Sequence, residues 1–187
     1  MDFSCVEECA QCCIERHYYP SKKFGKVGVL ILPDEKQKIE DLAKQHNLGI
    51  TILPRIGISY KSHDGPEQII AYQMMGKEKN GNTCPFLDTE SDKKSPHGGF
   101  TCKIYSERPL ACAAYPLLQT SPIVLDDHCK FCQYHTGADG NLETEKEALI
   151  KIQTKMSSSA PIIWRYATGV GEDKDKDAIK NGWIREF

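Results

Sequence analysis

Along the first twenty positions apolar and polar residues follow neither a helical nor a strand period. The segment reads as a loop that something else must order. The first clear pattern is 27–32, Val-Gly-Val-Leu-Ile-Leu, a run rich in β-branched residues between Gly25 and Pro33 that predicts a strand. Pro33, Asp34 and Glu35 then predict a helix start, since proline is tolerated in the first turn and acids favour the positive end of the helix dipole. Its apolar positions Ile39, Leu42 and Ala43 share one face, and Gly49 lies beyond its end. Two more strands are predicted at 50–53 and 68–75, separated by Gly57, His63, Asp64, Gly65 and Pro66 as punctuation.

Residues 76–101 are turn-rich and polar around Cys84. After a turn at 137–140, residues 141–156 predict a helix with Leu142, Leu149, Ile152 and Met156 on one stripe. Pro161 is expected to open a second short helix carrying Ile162, Ile163 and Tyr166. The alternating acids and bases of 172–176 read as a solvated, frayed tail. No repeat, βαβ alternation or glycine-rich phosphate loop is visible. The expected fold is therefore α+β, a small single domain with few short strands, flanking helices and long cysteine-bearing loops organised by metal. Within it, 1–135 reads as the cysteine-cluster metal-binding part and 136–187 as a C-terminal helical segment packing on it.

Composition changes this picture at one point, the cysteines. There are nine among 187 residues, fewer than the ~8–10% of a small secreted disulfide scaffold, and an odd number cannot pair fully within one chain. The 24 basic residues are matched by 26 acidic ones, which removes the electrostatic case for general nucleic-acid binding. The acidic start lacks the basic and apolar regions of an export signal, and no apolar run approaches the ~20 residues of a membrane span. A cytoplasmic protein is expected, in which clustered thiols hold metal or perform redox chemistry rather than cross-link.

The cysteines fall into two sequence groups. Cys5, Cys9, Cys12 and Cys13 lie in one loop; Cys84, Cys102, Cys112, Cys129 and Cys132 are spread further on, the last two as a CxxC knuckle. Thiolate clusters select zinc or iron–sulfur centres. The adjacent side chains of Cys12 and Cys13 are expected to point apart, so that only one serves a given ion. The Cys5-x3-Cys9-x2-Cys12 spacing equals that of radical SAM enzymes, but no βα repeat follows it. The spacing still suits three corners of a [4Fe–4S] cluster.

Among other residues, Arg108 either offsets thiolate charge or pins its loop by bonding backbone carbonyls. Tyr105 stands near it as a second supporting residue. Tyr115, Pro85, Pro109 and Pro116 read as packing and loop-directing residues. His17, His97, His128 and His135 flank cysteine segments, and His128 is best placed to replace a thiol ligand. Asp126 and Asp127 read as a turn. No Ser-His-Asp order or HExxH motif supports a hydrolase.

The order of Phe3-Ser4-Cys5, Cys9, Cys12-Cys13, then Cys84-Pro85-Phe86-Leu87, then Cys102-Lys103-Ile104-Tyr105-Ser106-Glu107-Arg108-Pro109 through Cys112 to Tyr115-Pro116 resembles the YkgJ-like, or CxxCxxCC, cysteine-cluster family over about residues 3–132. The resemblance implies a zinc- or iron-chelating protein with an eight-cysteine pattern, leaving one of the nine, Cys132 or one of the vicinal pair, as a spare. It also brings in the flagellin lysine N-methylases, whose related cysteine pattern goes with an iron–sulfur cluster and methyl transfer. Two departures stand out. The first gap is three residues rather than two, and Ala113 stands where the family often has arginine. Three readings follow: an iron–sulfur protein, preferred; a structural zinc protein with four-cysteine sites; and a cluster-dependent methyltransferase, against which the chain is short and lacks a SAM-binding glycine loop. A protein partner is left open.

Overall fold

The computed structural model describes residues 11–14, 25, 27–77, 83–88, 90–93, 100–130, 132, 141–168 and 182–186. Its architecture is α+β. After a helical turn α1 (Gln11–Ile14), strand β1 (Val29–Ile31) leads through Pro33 into helix α2 (Pro33–Gln45), which starts and faces inward as its sequence predicts. The Glu35 carboxylate accepts the Leu32 backbone N–H at 2.9 Å, closing the helix start. At the far end Asn47, at φ 53°, makes the left-handed turn that stops the helix.

Strands β2 (Ile52–Ser59) and β3 (Gln68–Met74) form an antiparallel pair, and β1 lies on the other side of β3. Strand β2 runs straight through Gly57 with register shifts on either side of Ile56, so the predicted punctuation is a bulge rather than an end. A Cβ at Gly57 would sit 2.4 Å from the Pro66 Cβ, which explains why no side chain stands there.

Chain direction then changes character. Two small antiparallel pairs carry the cysteine-rich region, β4 (Leu87–Asp88) with β5 (Thr101–Cys102), and β6 (Leu117–Thr120) with β7 (Ile123–Leu125). A 3-10 turn at Tyr105–Glu107 and the short helix α3 (Leu110–Ala113) lie between them. Helix α4 (Glu143–Met156) matches its predicted span.

The segment after Pro161 is not a helix. It is strand β8 (Ile162–Tyr166), with Ile162 and Trp164 buried and Ile163 exposed between them. Alternation of period two in a β-branched and aromatic run outweighs the proline start signal. The chain's last described stretch, within the expected C-terminal helical segment, is strand β9 (Trp183–Glu186), in which Trp183 and Ile184 are buried. The 172–176 run lies outside the described residues. The main sheet has the order β1-β3-β2-β8-β9. Trp164 Nε1 donates to Ser59 Oγ at 2.8 Å, and that hydroxyl donates to the Ser62 carbonyl at 2.8 Å, tying β8 to β2.

The two faces of β1 set the position of the site. Val29 and Ile31 pack with Ile39, Leu42 and Ala43 of α2 and with Met74, Phe86 and Ile104. Leu30 and the buried Leu32 pack with α3 and α4 through Ala114, Ala148 and Ile152. Each such aliphatic side chain contributes roughly 1.5–3 kcal/mol of burial. The first of these cores is the one that Cys84, Cys102 and Cys112 adjoin.

Candidate metal centre

The seven described cysteines, Cys12, Cys13, Cys84, Cys102, Cys112, Cys129 and Cys132, all carry thiols rather than disulfides. Cys5 and Cys9 lie outside the described residues, as do His17, His97 and His135. Helical turn α1 holds the vicinal pair, and its sulfurs do not point apart: Cys12 Sγ and Cys13 Sγ are 3.9 Å from each other. Successive positions on a helical turn are offset by only about 100°, and staggered rotamers can bridge that angle. The Cys84 backbone N–H donates to the Cys13 carbonyl at 2.7 Å, so the N-terminal turn is tied directly to the Cys84 loop. The Cys13 thiol hydrogen-bonds those of Cys12 and Cys84, and these bonds, with burial, hold it well above the ordinary thiol range.

Cys84 opens the turn leading to β4, over the fully buried Pro85 and Phe86. Pairing of Leu87 with Cys102, and the Lys103 N–H donated to the Phe86 carbonyl at 2.9 Å, brings β5 alongside. Burial pushes the Cys102 thiol up to about 12, the nearby Cys84 and Cys112 adding to the effect. The Ile104 N–H and the Arg108 charge act in the opposite direction and favour the thiolate. Arg108 Nη1 also donates to the Tyr105 carbonyl at 2.9 Å, and the guanidinium lies 4.0 Å from the Tyr105 ring centroid. Arg108 thus bonds a backbone carbonyl and places its charge within reach of a thiol. Cys112 follows on α3, its N–H donated to the Pro109 carbonyl at 2.8 Å.

Five thiols from widely separated segments are thereby linked through Cys84 and Cys102. The N-terminal pair joins the 84–112 group, a grouping the sequence order does not suggest. Cys129 and Cys132 form a second pair, in a different apolar cluster with Leu142 and the half-buried Tyr115 and Leu125. Burial, and then the neighbouring Cys129, push the Cys132 thiol up to about 12. Beside this pair, His128 Nδ1 lies 3.0 Å from Asp126 Oδ1 and 2.8 Å from Asp127 Oδ1. The half-buried Asp126 and the exposed Asp127 and His128 have their ligand atoms within 4.8 Å of one another. The bond to Asp126, and then the charge of Asp127, raise the His128 pKa.

One supporting residue carries no sequence signal. Glu35 reads locally as a first-turn acid, yet its second oxygen accepts the Leu110 N–H at 2.8 Å across 75 residues. No local pattern encodes such a contact.

Soft, thiol-rich donors of this kind fit zinc or iron far better than a hard oxygen-seeking cation. Among the described residues no helix is long and apolar enough to cross a membrane. A family model described as "putative zinc- or iron-chelating domain" matches residues 4–133. No curated protein matches the chain, and no solved structure matches it.

Proposed function

The chain belongs to the CxxCxxCC family of zinc- or iron-chelating domains, and from that premise we propose that it binds a [4Fe–4S]-type cluster through thiolates drawn from Cys5, Cys9, Cys12, Cys13, Cys84, Cys102 and Cys112. The observation that carries this reading is the spread of the linked thiols. Five of them adjoin, one more than the four that either a cubane or a zinc ion takes, so their spacing rather than their number decides. Among the described residues no three cysteine sulfurs lie mutually within 4.8 Å. A single zinc ion with 2.3 Å bonds would draw four sulfurs to about 3.8 Å of one another, whereas a cubane binds each sulfur to a different iron and spaces them more widely.

When bound, such a cluster supplies one-electron chemistry and cross-links the loops that hold it. The chain's own residues set its surroundings. The Ile104 N–H and Arg108 favour the Cys102 thiolate, and groups of this kind beside a cluster raise its potential by stabilising added negative charge. Apolar packing by Phe86 and Ile104 limits water on the core side.

A second reading, two structural zinc sites, is favoured by two observations. The 3.9 Å between Cys12 and Cys13 sulfurs matches one edge of a zinc tetrahedron, and Cys129–Cys132 forms a pair in its own apolar cluster.

Anaerobic purification followed by iron, sulfide and zinc analysis and a visible spectrum separates the two. The cluster reading expects brown protein with iron and acid-labile sulfide. Colourless protein with stoichiometric zinc and no sulfide would refute it. Cys112→Ser is expected to lower both bound metal and melting temperature.

A further inference from the structure

Glu35 divides its carboxylate between two backbone amides. One oxygen accepts the Leu32 N–H at 2.9 Å and the other the Leu110 N–H at 2.8 Å. The first bond closes the start of α2; the second does nothing for that helix. It serves α3 instead. Leu110 is the first residue of a four-residue helix, far below the length at which a helix supports itself. Its N–H has no partner within so short a turn, and Glu35 provides one from a 13-residue helix anchored in the main core. One turn further along α2, Lys38 Nζ pairs with Glu107 Oε1 at 3.2 Å, a second and more exposed tie to the same segment. The string from Tyr105 to Cys112 is thus held along one face of α2.

We propose that Glu35 is a positioning residue for the Cys112 thiol: it fixes α3 against α2 so that this sulfur stands beside Cys102 before metal arrives. The inference rests on the reading of Cys112 as a ligand. A site organised in advance binds more tightly because ordering its ligands no longer opposes binding.

The test compares wild type with Glu35→Ala, Glu35→Gln, Cys112→Ser and Ile162→Val, each purified anaerobically. Iron and zinc retained against EDTA are measured, together with the melting temperature of the stripped protein. Glu35→Ala is expected to weaken retention about 10–100-fold, the range for outer partners of metal ligands. Glu35→Gln keeps one accepting oxygen and falls between alanine and wild type; it carries the test if the alanine variant does not fold. Ile162→Val, in the separate β8–β9 cluster with Trp164 and Trp183, is expected to lower the stripped melting temperature while retaining metal like wild type.

Glu35→Ala and Glu35→Gln both within about twofold of wild type, with Cys112→Ser losing metal, would overturn the role of Glu35 alone. So would a loss in Ile162→Val equal to that in Glu35→Ala, which would mark the effect as general destabilisation. Wild type without metal, or Cys112→Ser with full metal, would instead overturn the ligand reading, and this inference with it.

Discussion

Phe86 offers the sharpest check on how the core supports the thiols. Its ring is 1% exposed and packs with Val29, Ile31, Ile39, Met74 and Ile104, directly beneath the turn that begins at Cys84. Removing it in Phe86→Ala forfeits the ring's burial and leaves a cavity, a loss of about 3–5 kcal/mol. Phe86→Leu refills most of the space and is expected to lose about 1–2 kcal/mol. Against a total stability of roughly 5–15 kcal/mol, the leucine variant stays folded throughout. That matters for the metal readout, because a fully folded variant loses affinity only if its ligands have moved. The ring's own backbone carbonyl accepts the Lys103 N–H, and Leu87 pairs with Cys102, so a shift at residue 86 loosens the link between Cys84 and Cys102. Urea unfolding of stripped protein, followed by tryptophan fluorescence, gives the stability change; metal retained against EDTA below the transition gives the second quantity. An alanine variant within about 1 kcal/mol of wild type would refute the packing argument. Full metal retention in a variant destabilised by about 3 kcal/mol or more would refute the link from core to thiols.

Two further outcomes follow from protonation. Hydrogen bonds from Cys12 and Cys84 keep Cys13 protonated well above the ordinary range, and burial holds Cys102 up to about 12. A ligating thiol must release its proton, so retention should weaken about tenfold per pH unit for each proton displaced as pH falls; chelator competition with a slope below one proton would exclude these two as ligands. In the β2–β3 loop, Glu67 accepts the backbone N–H groups of Ser62, Lys61 and Tyr60 at 2.7, 3.1 and 3.2 Å, and the Ser62 bond foremost holds its carboxyl below the ordinary value. Its stabilisation is present above the unfolded carboxylate pKa of ~4.3 and is lost as pH falls through the lower folded value. Glu67→Gln should therefore melt earlier than wild type near neutrality and converge with it in acid; a difference unchanged by pH would contradict this.

Where signals are local, the chain was legible. Pro33, Asp34 and the Ile39-Leu42-Ala43 face specify α2 within a few turns, and the helix lies where they put it. Strand β8 reads locally both ways, its proline as a helix start and its alternation as a strand; pairing with β2 and the Trp164–Ser59 bond add to the alternation and favour the strand. Trp183 carried no signal of its own, since what buries it is a cluster with Ile162 and Trp164 from an earlier strand. The thiols divide in the same way. Spacing could nominate Cys12, Cys13, Cys84, Cys102 and Cys112 as metal-seeking. It could not join the first two to the rest, because that join is a backbone bond between Cys84 and Cys13 some seventy residues apart. Glu35 is the extreme case, an ordinary helix-start acid whose second bond reaches the Cys112 helix.

The order of the main sheet has a consequence for what the family match delimits. The matched segment stops at residue 133, yet β8, the neighbour of β2 on its far side, and β9 beyond it begin only at Ile162. A protein cut after the match would leave β2 as a bare edge over Ile56–Ser59, where every second residue would lose the strand its backbone groups face. Such an edge is a template for pairing with other chains. It would also lose α4, against which the Cys112 helix packs. The boundary drawn by sequence similarity encloses the thiols, but the unit that can fold around them is longer.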